Sequence, residues 1–370
     1  MNFINKHQDN IFSEKHQLVD EYYRGQDLVP MWVAETDYAL PEYIKASLYK
    51  RIDHGGFGYS YIQDDTLSVL QEVFQTENIM LDNGIMKSVF EIIKCFTQES
   101  DSIVVFSPHY HHFITTIELA NRPIKTSELL DIDNRYYIDF EDLESKISQS
   151  KVLLFCSPHN PTGRIWNKQE LERVYDLCKK YDVLIISDEV HSTMNYHEFH
   201  TMQNFDNVIV LNSPSKTFNV AGLKQSFIIV ENNRLFKQLS CHYQTNKIKS
   251  NNVVSLLVLS DIYRNGQKYQ AEVIQYTKEN LECCYQILLG HQVRFHYTES
   301  SFLLWIDLSK YFKSDQQLID YMITNCKIAP TFGSTFGAKY KFYIRLNIGC
   351  ERKLCINSLK KIVSGLDRYV

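Results

Sequence analysis

Apolar residues in this chain fall into short runs at 102–106, 151–156, 183–187, 208–213 and 226–230, separated by longer stretches with helical periodicity. The β-branched residues of Val208-Ile-Val-Leu211 mark a strand buried on both faces. Runs this short, alternating with helix-length segments, predict a mainly parallel sheet covered by helices. Met86, Val89, Phe90, Ile93 and Phe96 recur at helical spacing behind Asp82-Asn83-Gly84, which predicts a helix with Gly84 at its start. The region 233–289 lacks a strand signal and reads as two long helices. Beyond it, Phe302–Ile306 and Phe342–Leu346 read as strands, with helices expected near 314–325 and 351–368.

A length of 370 residues leaves room for two or three domains and a large core. No repeat, low-complexity tract or Pro/Gly/Ser-rich linker marks a boundary between them. The net charge of −5 comes from 39 basic and 44 acidic residues spread along the chain. That balance argues against nucleic acid or an anionic membrane as the main partner. Nine cysteines without CxxC pairs fit a reducing cytoplasm. The first ten residues are polar and lack a signal-peptide core, and no run approaches the ~20 apolar residues that span a bilayer. The expectation is a soluble, cytoplasmic globular protein.

Chemistry concentrates where these runs end. Lys216 follows the strand at 208–211 in Ser213-Pro-Ser-Lys-Thr217. A lysine amine condenses with aldehydes, and burial makes it nucleophilic by lowering its pKa. The SxxK spacing also occurs in serine β-lactamases, but the SDN and KTG elements that accompany it there do not occur downstream. Asp188 ends the run at 183–187, at the strand edge where α/β sheets bind ligands, although Asp is also a good helix N-cap. Asn160, in Ser157-Pro-His-Asn-Pro-Thr-Gly163, lies in a strong turn sequence after the strand at 151–156. His109, His111 and His112 have no further ligands at metal-site spacing, and His197–His200 is one residue short of HExxH, so no metal is expected.

Taken in order, Met31-Trp-Val-Ala34, Asp53-His-Gly-Gly-Phe-Gly-Tyr59, Ser157–Arg164, Ser187–His191, Pro214–Leu223 and Phe342–Asn347 span most of the chain. The chain in these segments resembles the fold-type I pyridoxal-phosphate enzymes of the class I/II aminotransferase superfamily, and within it the MalY/PatB branch of cystathionine β-lyase-like C–S lyases. The resemblance implies a large domain at 49–287 and a small α+β domain formed by 1–48 and 288–370. It implies pyridoxal 5'-phosphate on Lys216, with Asp188 at the pyridine nitrogen, Tyr110 stacked on the ring, and Asn160 and His191 near the phenolate oxygen. Gly84, Ile85 and Met86 then form the phosphate turn with Ser213 and Lys224. Tyr59 reaches the partner's phosphate in a homodimer, and Arg345 grips the substrate α-carboxylate, with Trp32 and Glu35 also facing substrate. Departures occur at Glu35, where relatives usually have Asp, at Ser107-Pro-His109 and in a shortened 71–82.

The implied reaction begins with removal of the α proton by the Lys216 amine. Loss of a β-substituent then gives thiol, pyruvate and ammonia, which is the reading favoured by the MalY/PatB likeness. Transamination, or elimination or cyclisation of another substituted amino acid in specialised metabolism, are the alternatives that composition and spacing leave open. A purely regulatory pyridoxal-phosphate protein would need a DNA-binding domain, for which the segment before Met31 offers no room.

Overall fold

A computed structural model describes residues 12–248 and 252–369. The polar first ten residues read above lie outside that range. Eight strands form one sheet in the order 79–82, 226–229, 208–212, 184–188, 152–156, 103–107, 124–132 and 135–138. The five strands from 208–212 to 124–132 run parallel, and the outer ones are antiparallel. The mainly parallel sheet expected from the apolar runs is therefore present.

Both faces of these strands are buried, which is why their sequences read as unbroken apolar runs. On one face, Leu153, Phe155, Ile185 and Val210 pack against Leu171, Val174 and Cys178 of the helix Lys168–Lys180. On the other, Val152, Leu154, Ile186 and Ile209 meet Val89, Ile92 and Ile93 of the helix Ile85–Phe96. The parallel strands leave their carboxyl ends along one edge, at Ser107, Cys156, Asp188 and Asn212. The chain turns to opposite sides of 103–107 for 124–132 and for 152–156, which opens a crevice at that edge.

A second sheet of five strands has the order 29–31, 328–332, 343–347, 303–307 and 294–296. Its first pair is parallel and joins Val29–Met31 to Ile328–Pro330, so residues from both ends of the chain share it. Among the described residues no helix is long and apolar enough to cross a membrane.

The region 233–289 departs from expectation. It holds three helices, Asn233–Thr245, Val253–Asn265 and Gln267–Gly290, rather than two. Asn252 caps the second by accepting from the Val254 and Ser255 N–H groups. Gly266 separates the second from the third because a Cβ there would lie 2.6 Å from Phe218 Cζ and 2.4 Å from the Ile262 carbonyl. Helical periodicity alone does not register such a close approach. The helix expected near 314–325 is an α-helix only over Asp315–Asp320 and widens to a π-helix over Tyr321–Cys326.

Candidate active site

The crevice at the carboxyl edge is a cavity of about 490 Å³. Lys216, Asp188, Asn160, Tyr110, His191, Ser213, Lys224 and the Gly84–Met86 turn all line it. Segments separated by more than a hundred residues converge here because Tyr110, Asn160, Asp188 and Ser213–Lys216 follow different parallel strands of one sheet, and the Gly84 turn follows the antiparallel edge strand 79–82.

Lys216 sits in the four-residue helix Ser215–Phe218, and its Nζ donates to the Ala34 carbonyl at 2.8 Å. Burial lowers its ammonium to about 8, with Arg345 adding to the shift and Asp188 and Glu35 opposing it. Burial raises the Asp188 carboxyl to about 6, opposed by the Val190 N–H and by Lys216. Asp188 Oδ1 accepts from that Val190 N–H at 3.1 Å, so the carboxylate caps a turn and no helix follows it.

Arg345, 3% exposed on the strand 343–347, donates from Nη1 to Asn160 Oδ1 at 2.8 Å. Its Nη2 donates to the Trp32 carbonyl and to Thr331 Oγ1, while Nε is buried without a partner. No carboxylate among the described residues pairs with this guanidinium, and burial weakens its hold on its proton. A buried cation left in that state is costly unless a ligand supplies the negative charge. The same bond fixes the Asn160 amide, with its oxygen on Arg345 and its NH₂ left for the cavity. His191 is held through Nδ1 by Ser301 Oγ at 2.8 Å, and burial keeps the ring neutral. Tyr110 caps the start of His111–Leu119, and burial pushes its phenol well up.

Gly84 precedes the twelve-residue helix Ile85–Phe96 with φ of 101°, a conformation that glycine adopts readily. The first-turn N–H groups of that helix open on the cavity and favour an anion. Ser213 Oγ donates to the Gln225 carbonyl and accepts from the Ser215 N–H. Lys224 is exposed in the left-handed region at φ 55°.

Four predicted residues lie outside this lining: Arg345, which reaches it through Asn160, and Tyr59, Trp32 and Glu35. Tyr59 is 112% exposed, the most open large hydrophobic side chain among the described residues. Trp32 stacks edge-on with Tyr22 and Tyr23, and only its carbonyl reaches the site. Glu35 is half-buried, and burial raises its carboxyl, opposed by Lys15 and Lys216. Sequence reading missed Cys156, His112, Ser215 and Gln225, which also line the cavity. Ser215 and Gln225 adjoin Lys216 and Lys224, so chain proximity was an available signal. Thr331 carried none, since it reaches Arg345 from a separate strand. Among the described residues no three His, Cys, Asp or Glu side chains are placed to hold a metal ion.

Residues 35–362 match the profile of the family described as aminotransferase class I and II. The chain is 32% identical to cystathionine beta-lyase PatB of Bacillus subtilis (strain 168), covering 96% of each chain. It is 29% identical to protein MalY of Escherichia coli (strain K12), covering 92% of this chain and 91% of that one. Among solved structures, cystalysin from Treponema denticola, which contains a pyridoxal 5'-phosphate cofactor, superposes with a TM-score of 0.93 at 25% identity. That match covers 99% of this chain and 98% of the other.

Proposed function

Since the chain belongs to the aminotransferase class I and II family, we propose that it is a pyridoxal-phosphate-dependent lyase. Its reaction is cleavage of the C–S bond of cystathionine or a cysteine conjugate, giving thiol, pyruvate and ammonia. The observation that carries this reading is the full-length likeness to a cystathionine beta-lyase, joined to a cavity lined by Lys216, Asp188 and Asn160, with the uncompensated Arg345 bonded to that Asn160.

The residues fit the cofactor. The first turn of the helix after Gly84 would supply N–H donors for a phosphate, with Ser213 and Lys224 beside it, since the Gly84 N–H already donates to Ser226 Oγ. Pyridoxal phosphate, when bound, supplies an aldehyde for amines and a ring that takes up charge from the α carbon. Lys216 supplies the amine for that aldehyde and, once released, the base that removes the α proton. Its lowered pKa suits both tasks near neutral pH. Asp188 would keep the ring nitrogen protonated, the Asn160 NH₂ and His191 would be available to the phenolate oxygen, and Tyr110 would offer the ring a flat surface. Arg345 receives the α-carboxylate through the donors that lack partners. Trp32 supports Arg345 through its carbonyl, and the Glu35 carboxylate opposes the lowering of the Lys216 pKa.

We also propose a homodimer and the domain division 49–287 and 1–48 with 288–370. Tyr49, Ile52, Phe57, Tyr59 and Tyr61 are each more than half exposed within thirteen residues, an apolar patch suited to a second copy. The pairing of Val29–Met31 with Ile328–Pro330 supports the small domain. Nine thiols without a disulfide support a cytoplasmic setting.

Turnover decides the reaction. Incubated with cystathionine and no keto acid, the enzyme is expected to release thiol, keto acid and ammonia over many cycles. A halt after one equivalent, relieved by a keto acid, would establish transamination instead. Mixed Lys216→Ala and Tyr59→Phe subunits are expected to regain part of the activity if Tyr59 serves the neighbouring site. No recovery under verified exchange would make each site self-contained.

A further inference from the structure

A second cavity, of about 560 Å³, lies behind the segment that carries Lys216. Ser213, Ser215 and Lys216 face the first cavity, while Asn212, Pro214 and Phe218 face the second. The neighbouring carboxylates divide in the same way, Asp188 to the first and Glu189 to the second.

The lining sets the chemistry of an occupant. No lysine, arginine or histidine contributes to it, whereas Glu189 and Glu231 both do. Ser187, Thr201 and the Met202 N–H already occupy the Glu189 carboxylate. Among the described residues the Glu231 carboxylate accepts one bond, from Gln203 Nε2 at 2.9 Å, and its other oxygen has no donor. Phe74, Phe199, Phe218 and Tyr263 supply aromatic surface, and the Tyr263 hydroxyl is buried without a partner. A zwitterionic amino acid or a phosphate finds no cation here to receive its negative group. An organic cation finds a carboxylate, aromatic faces and an unfilled hydroxyl in a volume suited to a small molecule.

We propose that this second cavity binds a small organic cation with an apolar body, and that its occupant adjusts the Lys216 segment through Pro214 and Phe218. The site is separate from the catalytic cavity, and the binding half of the proposal does not depend on which reaction the enzyme performs.

The probe is benzyltrimethylammonium, which has no N–H and so cannot condense with the cofactor aldehyde. Calorimetry on the holoenzyme is expected to give one saturable site per chain, with phenylacetate at least about tenfold weaker. Glu231→Gln preserves shape and the Gln203 contact and is expected to weaken binding about fivefold. Tyr263→Phe keeps the ring and, because the probe has no N–H for the hydroxyl to accept, is expected to leave the constant within about twofold. Absence of saturable binding, equal affinity for phenylacetate, or an unchanged constant in Glu231→Gln would overturn the site. The bound ammonium is also expected to change kcat or KM about twofold or more. Saturation without any change in turnover would overturn the coupling to Lys216.

Discussion

Two cavities of similar size share the walls 188–189 and 212–218, and their charges are opposite. The front one, of about 490 Å³, gathers Lys216, Lys224 and the Gly84–Met86 turn, with Arg345 anchored on its Asn160. The back one, of about 560 Å³, contains two carboxylates and no basic side chain. Size therefore does not distinguish them; the sign of the unmatched charge does. Strand alternation explains the division, because adjacent residues at a strand's end point to opposite faces. Asp188 and Glu189 follow that rule, and burial raises both carboxyls, to about 6 and about 7. One faces a lysine and the other three neutral donors.

The comparison breaks most sharply at Lys216. Lys216→Ala removes cofactor attachment and the α-proton base together, and turnover is expected to fall by roughly 10⁴-fold or more. Binding of benzyltrimethylammonium at the back cavity is expected to persist in the same variant. Borohydride reduction followed by peptide mapping is expected to label Lys216 in the parent enzyme, and a labelled peptide elsewhere would remove the assignment.

Asp188 gives the next largest effect, seen in the pH dependence of stability without cofactor. The folded carboxyl keeps its proton up to about 6, whereas the unfolded one loses it near 3.8, the ordinary aspartate value. Between those values the folded state binds more protons, so stability falls as pH rises through that window. The loss is on the order of 3 kcal/mol. Asp188→Asn is expected to flatten it, as read from urea midpoints between pH 4 and 6. An unchanged slope in the variant would show that the Asp188 environment does not penalise its charge.

The sequence displayed the front cavity better than the back one, for a physical reason. Lys216, Asp188 and Asn160 stand directly after short β-branched runs, and a parallel sheet brings the ends of such strands together. Arg345 was legible as a charge in an apolar strand. Its partner Thr331 was not, because nothing local marks which strands pair. The three-helix region was misread because a packing collision at Gly266 leaves the apolar period unbroken. The back cavity was invisible for the same reason. Phe74, Phe199, Glu231 and Tyr263 share no motif and meet only through the tertiary fold.

Arg345 sharpens the front half of the comparison. Arg345→Lys retains the charge but cannot keep Asn160, Trp32 and Thr331 bonded while also offering a planar fork to a carboxylate. A charge-assisted hydrogen bond contributes about 1.5–3 kcal/mol, so kcat/KM is expected to drop by about 10- to 100-fold, mainly through KM. An unchanged KM for the amino acid would place the α-carboxylate elsewhere.

The smallest effect tests whether the back cavity is separate from the chemistry. Glu231 lines that cavity and a shallow surface depression beside Asn78, not the front cavity, and its carboxylate accepts from Gln203 Nε2. Glu231→Gln removes a half-buried negative charge while leaving an oxygen to accept from Gln203 Nε2. Turnover without added cation is therefore expected to stay within about twofold of the parent, and stability within about 0.5 kcal/mol, the range for a replacement that creates neither cavity nor clash. Steady-state kinetics and a urea midpoint together check this. A tenfold loss of turnover at unchanged stability would mean that the charge of Glu231 reaches Lys216 through the shared wall even when the cavity is empty of ligand. In that case the two cavities would have to be treated as one electrostatic unit.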